Sequence, residues 1–265
     1  MEFVAKQIII DPHNVGTVIH PNRTRNMALL FQSLQFPLME ASLITTVKDF
    51  VKTTGDNKTA HDIARELIAQ EGRHAKAHRD FNHAFEASTG QDLSFFTNTI
   101  GSAIRFLSFK GDKRRNMTMV LLGETLGQTI GRLLQESTLM SGLQGESAKL
   151  FRWHFSEEVL HAPEIYNLIK AGGYNPGFIT RLSACLRWSL YCCIIPYMYI
   201  TYAKKQGFLN GRFFKDLIKL SFVEEKAVIY GIFGFILFLF KKPYPISDDI
   251  KDYCLAYLAA MPPRG

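Results

Sequence analysis

The chain has 265 residues, 47% apolar and 12% aromatic, with 31 Lys and Arg against 24 Asp and Glu for a formal net charge of +7. That balance supports a real hydrophobic core and excludes the disordered regime of low hydrophobicity and high charge. Cys185, Cys192, Cys193 and Cys254 fall late in the chain without CxxC spacing. They argue against a disulfide framework or a zinc ribbon and favour a reducing compartment.

Read in chain order, residues 1–25 form an N-terminal arm punctuated by Pro12 and Pro21. Its short apolar run, bounded by Glu2 and Asp11, lacks the long core of an export signal. Leu29, Leu30, Leu34, Leu38, Ile44 and Val47 recur at near-helical spacing and predict a helix over about 26–53. Pro37 lies inside it and is expected to kink or restart it, because proline removes a backbone donor. Gly55, Asp56 and Asn57 make a turn, and a second helix runs from Thr59 to about 87, ended by Ser88-Thr89-Gly90. Residues 92–109 are apolar and helical, and Lys110 to Arg115 form a basic loop. A helix over 116–140 follows, then a turn at Gly142 and Gly145, then a helix over 146–170 with Pro163 bending its last turns. Residues 178–258 are helical, aromatic and more hydrophobic.

Neither repeats nor sustained strand alternation occur. The fold class is all-α: a four-helix bundle over 26–172 and a basic, aromatic-rich helical extension over 173–265. Residues 167–265 hold 13 Lys and Arg against six Asp and Glu, and 19 of the 33 aromatics, whereas residues 1–166 are charge-balanced at 18 against 18. No uncharged run reaches a full membrane span; Ala227–Phe240, 14 residues long, covers only ~21 Å as a helix against a ~30 Å hydrocarbon core.

The second helix carries Glu71, His74 and His78, which share one face at spacings of three and seven. The fourth repeats the pattern with Glu158 and His161, plus His154 seven residues before His161. A four-helix bundle can hold two metal ions with Glu-x-x-His from each of two helices and a single Glu from each of the others. The first and third helices must then each offer an inward carboxylate. Glu40 is the only acidic residue between Asp11 and Asp49, and Glu124 the only one between Asp112 and Glu136; both sit among apolar neighbours. An unpaired buried carboxylate is costly, and metal coordination would explain it. Taken singly, each element has a plainer reading: a surface ion pair for Glu71, a carboxylate facing water for Glu157 or Glu158, a helix-end carboxylate for Glu40, packing for Trp153 and Trp188. His61 and His83 fall off the shared face.

This ordered set resembles the ferritin-like dimetal-carboxylate superfamily, and within it the bacterial family of predicted metal-dependent hydrolases. The resemblance rests on Phe36-Pro37-Leu38-Met39-Glu40, on Gln70-Glu71-Gly72-Arg73-His74-Ala75-Lys76-Ala77-His78, and on Trp153-His154-Phe155-Ser156-Glu157-Glu158-Val159-Leu160-His161. Met39 stands where the family usually has Gly, and Leu160 where it usually has Glu. The resemblance implies Glu40, Glu71, His74, Glu124, Glu158 and His161 as metal ligands. It leaves His78 and His154 as extra ligands or as donors behind them, and Glu157 as the alternative ligand if the fourth helix rotates.

Four carboxylates with imidazoles suit a pair of iron ions, or manganese. On this reading the chain is a non-haem di-iron oxidoreductase, an oxidase or oxygenase that uses O2 on a small hydrophobic or amphipathic substrate. The alternative is a metal-dependent hydrolase using a metal-bridged water; no Gly-x-Ser-x-Gly motif supports a serine nucleophile. Non-enzymatic iron binding or storage is a third class, and the long hydrophobic extension argues against a storage cage. The basic loop is no nucleic-acid footprint. The expected setting is cytoplasmic, with peripheral contact at the inner membrane surface through 178–258 and a homodimer as further expectations.

Overall fold

The computed structural model describes residues 8–136, 138–224, 226–240 and 248–261, without the side chains of 130–136, 138, 162 and 227. Residues 1–7 of the arm and Lys241–Lys242 of the extension lie outside them. Among the described residues every regular element is helical: α1 (Arg23–Val51), α2 (Lys58–Thr89), α3 (Ser94–Leu107), α4 (Lys113–Glu136), α5 (Thr138–Ser141), α6 (Gly145–Ala171), α7 (Phe178–Lys205), α8 (Gly211–Ile218), α9 (Ala227–Leu239) and α10 (Asp248–Ala260). A short 3-10 turn spans Pro12–Asn14, and a π-helical turn, Lys219–Glu224, continues α8.

The boundaries follow from capping chemistry. Asn22 and Asn57 accept the backbone N–H of Arg25 and Ala60, so each satisfies a donor that the first helical turn leaves open. Helix α2 stops at Gly90, whose φ of 65° is the left-handed conformation that glycine adopts without strain. The expected basic loop is shorter than its sequence suggested, because helix α4 already begins at Lys113. The third helix of the sequence reading covers α4 and α5, which lie on either side of residue 137, outside the described residues.

Helices α1, α2, α4 and α6 pack as a closed four: α1 on α2 and α4, α6 on α4 and α2. The connection from α2 to α4 passes through α3, which lies on α1 and α7. The extension is a second layer, with α7 on α3 and α4, α9 on α4, and α10 on α6. The core is continuous between the layers: Phe31, Phe81 and Phe151 of the bundle belong to one apolar cluster with Trp188, Tyr191 and Tyr202 of α7. Phe31 meets Phe96 edge-on at 5.0 Å, an arrangement worth roughly 0.5–1.5 kcal/mol beyond burial alone. Ile8, Ile10, Val15 and Ile19 of the arm are buried in the same cluster, and Asp11 N–H donates to Glu146 Oε2 at 3.0 Å.

Pro37 does not interrupt α1, nor Pro163 α6. A proline leaves the carbonyl four residues earlier without its helical donor. For Pro37 that carbonyl is Ser33, and Asn82 Nδ2 of α2 donates to it at 2.9 Å. For Pro163 it is Val159, and Gln128 Nε2 of α4 donates at 3.2 Å. In both cases a buried side-chain amide from a neighbouring helix replaces the lost bond, so the helix continues and the two helices are locked in register.

Candidate metal centre

The four bundle helices each send acidic or imidazole groups inward. Helix α1 contributes Glu40, α2 contributes Glu71 and His74, α4 contributes Glu124, and α6 contributes His154, Glu158 and His161. None of the seven is more than 8% exposed. His161 Nδ1 lies 3.0 Å from Glu71 Oε1, 3.4 Å from Glu158 Oε1 and 3.9 Å from Glu124 Oε2. His74 Nδ1 lies 3.4 Å from Glu158 Oε1 and 3.8 Å from Glu71 Oε2. His154 Nε2 lies 3.1 Å from Glu158 Oε1 and 3.6 Å from Glu40 Oε1. Two groups of ligand atoms emerge, Glu71–His74–Glu158–His161 and Glu40–His74–His154, each with its atoms within 4.8 Å of one another. They share His74.

The residues fit a metal on an observation independent of spacing. Both oxygens of Glu40, Glu124 Oε2 and His161 Nε2 are buried without a hydrogen-bond partner, while Glu71 Oε1, His74 Nδ1 and His161 Nδ1 have only one another and Glu158 within reach, in poor hydrogen-bond geometry. Each such atom costs about 1–3 kcal/mol, and more when charged. Their concentration at one point is expensive for a bare protein and natural for a coordination site. Carboxylate oxygens with imidazole nitrogens suit first-row divalent ions.

The electrostatics agree. Burial opposes the imidazolium of His74, but the carboxylates of Glu157, Glu158 and Glu71 outweigh it and hold the ring well above the ordinary histidine range. His161 is likewise held up against burial by Glu158 and Glu71. Burial and neighbouring carboxylates push Glu40 and Glu124 well above the ordinary carboxylate range. Glu71 and Glu158 move down despite burial, drawn by the imidazoles. Protons thus collect on the metal-free cluster where cations would otherwise stand.

Two arrangements behind the cluster fix ring orientation. His74 Nε2 meets Glu157 Oε2 at 2.9 Å, and Glu157 Oε1 accepts Trp153 Nε1–H at 3.1 Å. A carboxylate only accepts, so in the neutral ring the His74 proton sits on Nε2, and the Nδ1 lone pair would face a cation in the cluster. Glu157 therefore stands behind His74, away from the position of an alternative ligand, and Trp153 is a hydrogen-bond donor as well as a packing residue.

The second arrangement starts at Pro37. The Ser33 carbonyl it releases holds the Asn82 amide, which directs Asn82 Oδ1 at Ser33 Oγ. Ser33 Oγ–H donates to Asn82 Oδ1 at 2.6 Å, so Oγ accepts from His78 Nδ1 at 2.9 Å. His78 Nε2 is then an acceptor and takes the proton of His154 Nδ1 at 2.6 Å. In that tautomer Nε2 carries no proton and faces Glu158 Oε1 at 3.1 Å and Glu40 Oε1 at 3.6 Å, acceptors that a cation between them would join. Burial, with the neighbouring imidazoles His154 and His74, holds His78 well below the usual range, consistent with a neutral ring.

Five of the six expected ligands therefore fall in the two groups and His154 joins them; Glu124 stands at their edge, 3.9 Å from His161 Nδ1, and His78 and Glu157 lie behind. His61 and His83 are exposed. A cavity of about 130 Å³ adjoins the cluster, floored by Glu40, Glu71, Glu124 and Glu158 and walled by apolar groups including Phe36, Leu43, Met119 and Trp188. Sequence reasoning missed how α4 makes this space. A Cβ at Gly123 would stand 3.2 Å from Trp188 Cζ2, and one at Gly127 3.1 Å from Glu158 Oε2. The Gly-x-x-x-Gly spacing around Glu124 was the available signal.

The fold and site define an all-α protein with a buried His/Glu cluster of metal-binding composition. The sequence profile of the family described as predicted metal-dependent hydrolase matches residues 17–248, and the chain belongs to that family. Comparisons with curated proteins and with solved structures returned no match.

Proposed function

We propose that the protein is a metal-dependent hydrolase that holds two ions between α1, α2, α4 and α6 and acts on a small apolar or amphipathic substrate. The observation that carries this reading is the pair of donor groups sharing His74 on the floor of an apolar cavity. Family membership favours hydrolysis over the O2-dependent oxidation expected from the carboxylate-rich ligand set. Glu40, Glu71, His74, Glu124, His154, Glu158 and His161 are the proposed ligands, and the bundle is proposed to be of the ferritin-like type.

A metal pair bound there supplies Lewis acidity and a water acidic enough to attack at neutral pH. The chain's own residues do the rest. Glu157 and His78 present the lone pairs of His74 and His154 inward. Phe36, Leu43, Met119 and Trp188 enclose the apolar part of a substrate and exclude bulk water, which strengthens every charge interaction on the floor. Ser42, Thr46, Ser108 and Asn116, also on the cavity wall, are suited to a polar substituent.

The test is anaerobic turnover of short-chain aryl esters and phosphodiesters by protein loaded with Fe(II), Mn(II) or Zn(II). Hydrolysis without O2 that disappears in Glu158→Ala supports the proposal. Substrate-dependent O2 consumption by the Fe(II) form without hydrolysis would return the assignment to an iron oxidase or oxygenase.

A further inference from the structure

Of the 22 large apolar side chains left exposed among the described residues, 17 lie at or beyond Phe178. This excess is ordered. Along α8 and the turn that follows, Phe214, Ile218 and Phe222 recur every four residues at 43%, 60% and 49% exposure. Arg212, Lys215 and Lys219 run beside them at spacings of three and four. An apolar row edged by a cationic row is the pattern of a helix lying in the plane of a membrane–water interface. Among the described residues two cations of this row also meet acids: Lys219 stands 2.8 Å from Glu224, which takes Arg25 at 2.6 Å as well, and Arg212 stands 3.9 Å from Asp216.

Helices α7 and α9, which pack on each other, carry exposed apolar rows of their own. Helix α9 is uncharged and exposes Ile229, Ile232 and Ile236, one turn apart. Helix α7 exposes Leu186, Leu190 and Tyr197 while Trp188, Tyr191 and Tyr202 on its other side enter the protein core. Tyr191 Oη donates to Gln35 and Tyr202 Oη to Gln91, so α7 is fastened along the bundle. Although α7 is long enough to span a bilayer, that fastening leaves it only one face for an apolar environment.

The geometry points to the α7–α8–α9 face as a docking surface for an anionic lipid bilayer, with α8 as the helix that enters the interface. Charge selects this occupant over a second copy of the chain. Residues 167–265 hold 13 Lys and Arg against six Asp and Glu, while the remainder is balanced at 18 against 18. Two copies meeting through this face would set like charges together, whereas phosphatidylglycerol-type headgroups complement them. Nothing in this inference depends on the metal centre.

The experiment is flotation of the full chain with vesicles of phosphatidylglycerol and phosphatidylcholine, compared with phosphatidylcholine alone. Binding to the anionic vesicles, reduced severalfold by 0.5 M salt, is expected. Phe214→Ser with Ile218→Ser should lower it tenfold or more, and Lys215→Glu a few-fold, at unchanged helicity and melting temperature, since all three side chains are exposed. Absence of vesicle binding at every composition overturns the proposal. So does a stable dimer in sedimentation analysis that the Phe214→Ser, Ile218→Ser variant dissociates. Metal content and turnover are read separately, so loss of membrane binding and loss of hydrolysis remain distinguishable.

Discussion

The bundle and the extension depart from ordinary burial in opposite senses. The bundle keeps five carboxylates and four imidazoles inside, several of their atoms without a hydrogen-bond partner. The extension keeps rows of Phe, Ile and Leu outside. Folding alone favours neither arrangement, since buried charge and exposed apolar surface both cost free energy. On the proposed readings, each departure would be balanced by something the chain does not itself contain: cations for the first region, a lipid surface for the second. The two regions are nevertheless built around one apolar core, and Trp188 of the extension walls the cavity that Glu124 of the bundle floors.

The largest expected effect breaks the bundle's half of this contrast. Glu158→Ala removes the carboxylate whose Oε1 approaches His74, His154 and His161 together. Metal content measured by plasma emission should fall from two ions per chain to one or none, with hydrolysis lost. Retention of both ions would remove Glu158 from the ligand set.

The groups behind the ligands come next. Removing such a group typically costs 10–100-fold in metal affinity. Asn82→Ala and His78→Phe should each weaken metal binding by that order, seen by chelator competition, because the His154 Nε2 lone pair is then no longer held inward. Pro37→Ala should act in the same direction by a smaller factor. It restores a helical donor to the Ser33 carbonyl and sets it in competition with Asn82.

The electrostatics give a pH signature of intermediate size. In the metal-free protein His74 and His161 have raised folded pKa values. Their contribution to stability is complete below the ordinary histidine value of about 6.5 and is lost as pH rises through the folded values. Glu40 and Glu124, also raised, act in the same sense. Glu71 and Glu158 are depressed, so their contribution holds above the ordinary carboxylate range and is lost as pH falls through their folded values. Metal displaces the protons of the first four groups. The gap in melting temperature between metal-loaded and metal-free protein should therefore widen from pH 6 to pH 8.5, and loading should release protons into a weakly buffered solution. A gap that narrows over that range would contradict the assignment.

The smallest effect concerns the shared cavity. Gly123→Ala places a methyl group 3.2 Å from Trp188 Cζ2. It should leave metal content unchanged and raise KM less than tenfold, more for bulkier esters than for small ones. An equal effect on all substrates would place catalysis outside the cavity.

Much of the site was legible in the sequence, because ligand chemistry imposes helical spacing. Glu71 with His74 and Glu158 with His161 could be read directly, and the solitary Glu40 and Glu124 followed from what a bundle centre demands. The resemblance to metal-dependent hydrolases was visible in the same three segments, although the O2-dependent reading drawn from the ligand set finds less support than hydrolysis. What could not be read depends on contacts between helices far apart in sequence. Whether His154 faces the cluster depends on Ser33 and Asn82, 49 residues apart. Whether Glu157 is a ligand depends on which His74 nitrogen it meets. Pro37 looked like a break because the sequence does not show the Asn82 amide that replaces its missing bond. The extension's aromatic and basic character was plain, but its burial pattern was not, since alternate faces of α7 differ only in which neighbours they find.

The most direct measurement of the central claim is anomalous diffraction from a crystal of metal-loaded protein, collected at the absorption edge of the bound element. Two peaks are expected within the bundle, one among Glu71, His74, Glu158 and His161 and one toward Glu40 and His154. A cluster with no anomalous peak, its carboxylates and imidazoles bonded directly to one another, would contradict the claim.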